Sequence, residues 1–164
     1  MRGRHAMFLA SRLFTAIFML CALAQTPALA GADRGVALVI GNSAYRHASE
    51  LRNPRNDAED MAEAFEATGF QVVKGIDLDR EGMGRTIRKF ARALKTAQVG
   101  IFFYAGHALQ INGQNYLVPI DAELEDVTGV DFELVRLTLV QRTMERTVKT
   151  NLIFLDACRN NPLA

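Results

Sequence analysis

His107 and Cys158 are the two side chains in this 164-residue sequence best suited by type and position to nucleophilic chemistry. Each follows a short apolar run, VGIFFY at 99–104 before the histidine and LIFL at 152–155 before the cysteine. A thiolate attacks carbonyl carbon, and a neighbouring imidazole can take the thiol proton and later pass it to a leaving amine. The tetrahedral intermediate needs backbone N–H donors at its oxyanion. The Gly106-His107-Ala108 turn and the Cys158 amide can offer them. A Cys/His acyl-transfer dyad is therefore chemically open. Two plainer alternatives are open as well: a strand-end histidine with a backbone partner, and an inert buried thiol.

For the dyad to exist, the two apolar runs must lie side by side. The pattern from Gly35 onward alternates strand and helix. VALVI at 36–40 has the continuous apolar character of a strand buried on both faces. A polar loop follows to residue 55, and Asn56 with Glu59 makes a capping-box pattern for a helix that Gly69 ends. FQVV at 70–73 is a second strand, and 80–97 a helix with Met83, Ile87, Phe90, Ala91 and Leu94 at helical spacing. The run at 99–104 is the third buried strand. Residues 110–120 form a hairpin turning at Asn112-Gly113, residues 134–148 a helix, and 152–155 the fourth buried strand. Such alternation predicts an α/β fold with a mainly parallel sheet and helices on both faces. Sites in such sheets form outside the carboxyl ends of the strands, where His107 and Cys158 would share one edge.

Length fits one domain with a sizeable core. The formal charge is +1 with signs interspersed, which sets nucleic acid aside. Residues 1–30 carry Arg2, Arg4 and Arg12, an apolar run at 13–24 and the small-residue pattern Ala28-Leu-Ala30. That is a secretory signal peptide, predicting an exported, periplasmic or secreted protein; an uncleaved membrane anchor is the alternative. Cleavage removes three arginines and no acid, so the formal charge becomes −2. It also removes Cys21, leaving Cys158 without a disulfide partner, either buried or a reactive free thiol. The first strand–helix turn, GNSAY at 41–45, lacks a dinucleotide or phosphate-loop pattern, which argues against a nucleotide- or flavin-binding domain. No carboxylate cluster makes a calcium site, and no cofactor or metal is expected.

Tyr104-Ala-Gly-His107 and Leu155-Asp-Ala-Cys158, with histidine and cysteine 51 residues apart, resemble the two motifs of the caspase/metacaspase clan of cysteine peptidases. The likeness runs from about residue 34 to 162. It implies a caspase-like three-layer sandwich, a catalytic domain over 31–164, Cys158 as nucleophile and His107 as general base and acid. It also implies an oxyanion site from the Ala108 and Cys158 amides. Two residues before the cysteine stands Asp156, as in metacaspase-like members, which implies a pocket for a substrate arginine or lysine. A carboxylate there would pair a basic side chain and leave an acidic one uncompensated. Asp57 at the first helix start is explained as well by the helix dipole as by a pocket role, and it stays outside the candidate set.

Two departures from the family pattern stand out. Ala108 replaces the usual glycine after the histidine; its N–H survives, but a positive φ there would be costly. The family's small-subunit strands have no counterpart in the six residues after Cys158. The last strand is therefore expected to show an unpaired apolar edge, completed by a small-subunit segment or by a homodimer. The competing reading is a caspase-like pseudoenzyme that uses this edge for strand addition.

Overall fold

The computed structural model describes residues 35–124 and 128–157. The signal peptide expected at 1–30, the nucleophile expected at Cys158 and the residues after it lie outside the described residues.

A four-stranded parallel sheet forms the centre, ordered β2-β1-β3-β7: β2 is Gln71–Ile76, β1 Val36–Gly41, β3 Val99–Ala105 and β7 Thr150–Asp156. Helix α1 (Pro54–Ala67) lies on one face, setting Ala58 and Ala62 against Ala37, Val39, Ile101 and Phe103. Helices α2 (Arg80–Ala93) and α4 (Leu137–Glu145) share the other face. There Met83, Ile87, Phe90, Val140 and Met144 bury Leu38, Ile40, Phe102 and Tyr104. Each large side chain so buried contributes about 1.5–3 kcal/mol over exposure. The result is the expected α/β fold with helices on both faces.

The hairpin forms where expected. β4 (Ala108–Ile111) and β5 (Gln114–Leu117) are antiparallel, with Ile111 opposite Gln114. Asn112 and Gly113 both have positive φ, 50° and 75°, as a type I′ turn requires. β6 (Val135–Arg136) joins them as a third strand, after a short helix α3 (Val130–Glu133). Tyr45, Leu109, Tyr116, Val118 and Leu134 form a separate core with this small sheet.

Three expectations are corrected. The first helix starts at Pro54 with Asn53 as N-cap and forms no capping box at Asn56–Glu59. Proline suits a first helical position, and the Ser43 hydroxyl, 12 residues back, accepts the Arg55 N–H. The helix expected from 134 begins only at Leu137, because Val135 and Arg136 pair with β5. β7 is not buried on both faces: Leu152 is 43% and Phe154 47% exposed. Both are in register with Ile101 and Phe103, on the face that α1 covers, but α1 packs over β1, β2 and β3 rather than over β7. Among the described residues β7 pairs only with β3, so its other edge is open, as expected.

Candidate active site

Gly41, Ala105 and Asp156 are register neighbours at the carboxyl ends of β1, β3 and β7. The chain moves from β1 to β2 on one side, then crosses to β3 on the other, so the crevice between β1 and β3 is the topological switch point. His107 stands there, two residues after β3. The Gly106 N–H donates to the Asp156 carbonyl at 3.2 Å, tying the histidine turn to the end of β7.

The histidine is held on three sides. Its backbone N–H donates to the Tyr45 hydroxyl at 2.8 Å, and its carbonyl accepts from the Tyr104 hydroxyl at 2.7 Å. Its Nε2 lies 2.8 Å from the Ser49 carbonyl. A carbonyl can only accept, so Nε2 is the donor, and in the neutral imidazole that leaves the lone pair on Nδ1. The Tyr45 ring packs against the imidazole with centroids 4.5 Å apart.

Ser49 and Tyr45 belong to the loop from β1 to α1, and that loop is itself tied down. The Asp77 carboxylate, just after β2, accepts from the N–H groups of Ser43 at 2.7 Å and Ala44 at 3.0 Å and pairs with Arg55. Burial works against its charge, yet the two amides and the guanidinium outweigh that and hold its pKa below the usual value. Asn42, fully buried, donates to the Leu78 and Val118 carbonyls and accepts from the Leu78 N–H.

A cleft of about 610 Å³ opens at this edge, lined by Ser49, Arg52, Asp57, His107, Ala108 and Asp156 among others. That volume falls in the range of small-molecule sites. His107, Ala108 and Asp156 thus line one cleft, with Cys158 two residues beyond Asp156 in sequence. The cleft also takes in Asp57, which the sequence reading left aside. Its signal was present, an acid in the first helical turn, but only the seating of α1 over the sheet edge aims that turn into the cleft. Ser49 contributes a main-chain carbonyl and so carried no side-chain signal at all.

The amides of the histidine turn differ in their hydrogen bonds. The Gly106 and His107 amides are spent on Asp156 and Tyr45. The Val118 N–H donates to the His107 carbonyl at 3.1 Å, which makes Ala108–Leu117 a non-hydrogen-bonded pair and leaves the Ala108 N–H out of the β4–β5 ladder. Ala108 is not among the residues of positive φ, so alanine carries no backbone penalty there.

Comparison with known proteins gives a concordant result. The family profile described as "Caspase domain" matches residues 34–163. The chain is 29% identical over 128 residues to human mucosa-associated lymphoid tissue lymphoma translocation protein 1, and 28% identical over 128 residues to the mouse homolog. In each case the match covers 76% of this chain and 15% of the relative, so the chain spans a small part of the length of these proteins.

Proposed function

This chain belongs to the caspase-domain family, and from that premise we propose that it is a cysteine endopeptidase with Cys158 as nucleophile and His107 as general base and acid. The observation that carries the reading is the histidine itself. Its Nε2–H is committed to the Ser49 carbonyl, which leaves Nδ1 as the basic nitrogen of the neutral ring, and His107 lines the cleft at the carboxyl ends of β1, β3 and β7. In this proposal Nδ1 takes the thiol proton, the thiolate adds to the scissile carbonyl, and the oxyanion is met by the Ala108 and Cys158 amides. His107 then protonates the departing amine, and water releases the acyl group.

Cleavage after arginine or lysine belongs to the same proposal. Two carboxylates, Asp57 and Asp156, line the cleft against one guanidinium, Arg52. A basic substrate side chain gains charge-assisted hydrogen bonds from them, and an aspartate meets like charge. Export by a cleavable leader over 1–30 completes the proposal; it predicts a mature N-terminus at Gly31.

The test compares arginine- and aspartate-ended reporter peptides with the wild type, Cys158→Ala, His107→Ala and Asp57→Asn/Asp156→Asn. Arginine cleavage abolished by the first two substitutions and weakened by the double carboxamide supports the proposal. Aspartate cleaved as fast as arginine overturns the specificity, and activity surviving Cys158→Ala overturns the nucleophile. A second reading, strand addition to a partner or second copy at β7, is favoured by one observation: its open edge beside exposed Leu152 and Phe154. Concentration-dependent association lost in Phe154→Lys, without any peptide cleavage, would support that reading instead.

A further inference from the structure

We propose that Tyr45 is a positioning residue for His107, its hydroxyl closing a hydrogen-bonded ring through both backbone groups of that histidine while its aromatic face sets the imidazole plane. The kinetic consequence rests on the peptidase reading above; the geometric one does not.

Counting protons gives the ring its direction. The His107 N–H donates to the Tyr45 oxygen. The single Tyr104 hydroxyl proton has two acceptors within reach, the His107 carbonyl at 2.7 Å and the Val118 carbonyl at 3.2 Å, and the shorter contact takes it. The two phenol oxygens lie 3.4 Å apart. With the Tyr104 proton spent, the proton between them is the one on Tyr45. The path therefore runs from the His107 N–H through Tyr45 and Tyr104 back to the His107 carbonyl, each donor used once. Burial raises both phenol pKa values, so neither loses its proton near neutral pH.

Tyr45 also reaches the side chain. Its ring meets the imidazole at a 51° tilt, while Ser49, four residues on in the same loop, takes the Nε2 proton at the ring edge. Face and edge of the imidazole are thus set by one loop, and backbone and ring by one residue of it. The turn is shaped around this arrangement. A Cβ at Gly106 would stand 2.6 Å from the Tyr45 oxygen and 2.8 Å from the Tyr104 oxygen, closer than real contacts allow. Tyr116, in the same cluster, sets its ring under the Arg136 guanidinium instead and has no such coupling to the histidine.

The experiment uses the full chain, ¹⁵N-labelled, as wild type, Tyr45→Phe, Tyr45→Leu and Tyr116→Leu. Long-range ¹H–¹⁵N spectra read the His107 tautomer, hydrogen exchange reads its amide, and an arginine-ended reporter reads kcat and KM. The wild type shows the single Nε2–H tautomer. Tyr45→Phe keeps the ring contact but speeds His107 amide exchange by about tenfold or more, since its N–H loses its acceptor. Tyr45→Leu mixes the tautomers as well. In the active protein kcat falls about tenfold in Tyr45→Phe and about a hundredfold in Tyr45→Leu, with KM within about twofold. Tyr116→Leu destabilises without moving the tautomer or the His107 amide. If Tyr45→Leu fails to fold, Tyr45→Phe alone decides through amide exchange. Wild-type exchange and a single tautomer in the Tyr45 variants overturn the proposal. A wild type that holds the tautomer but cleaves nothing overturns the peptidase reading and leaves the positioning role to be decided by the spectra.

Discussion

Asp77 anchors the loop that holds the histidine, and replacing it should cost a predictable amount. Its Oδ1 accepts two N–H groups, and the two have different fates when the carboxylate is lost. Ser43 is buried, so its amide would lose its partner at a cost of about 1–3 kcal/mol, whereas Ala44 is exposed and its amide turns to water. The ion pair with Arg55, whose side chain is half exposed, adds about 0–1 kcal/mol. Asp77 also has a φ of 49°, where alanine costs roughly 1–2 kcal/mol but asparagine is tolerated. Asp77→Ala should therefore lose about 2–6 kcal/mol. Asp77→Asn keeps an oxygen for the two amides and should lose about 1 kcal/mol. Urea unfolding at neutral pH measures both. Because the folded pKa lies below the unfolded one, the unfolded chain binds the proton first as pH falls. The advantage of the wild type over Asp77→Asn is therefore whole above the unfolded carboxylate range and disappears as pH drops through the folded value. Alanine and asparagine variants equal within about 0.5 kcal/mol, or a gap that persists in strong acid, would refute the reasoning.

Other substitutions probe the same frame. Gly106→Ala drives a methyl group into both phenol oxygens and should cost about 3 kcal/mol or more, read as a lower melting temperature with loss of the His107 tautomer preference. Asn42→Ala removes a fully buried side chain, taking the acceptor from the half-buried Leu78 N–H and a donor from the buried Val118 carbonyl, and denaturant unfolding should show a loss of about 2–4 kcal/mol. Phe154→Lys lies on an exposed face, so it should change stability by less than about 0.5 kcal/mol while reducing association in sedimentation experiments.

The sequence by itself determined what depends on near neighbours along the chain. Continuous apolar runs marked β1 and β3, helical spacing marked the buried face of α2, and Asn112-Gly113 marked the hairpin, because backbone preference and burial period are local properties. They were enough to place His107 at the ends of the parallel strands. Tertiary structure decided what depends on residues far apart. It brought Asp57 into the same cleft as Asp156 by seating α1 on the sheet face, and it left half of β7 exposed where the apolar run suggested full burial, since burial depends on which face a helix covers. It also chose Ser49 and Tyr45 as the partners of His107, 58 and 62 residues away. One gives a main-chain carbonyl that any residue would carry. The other is an aromatic side chain whose role comes only from where a folded loop delivers its hydroxyl.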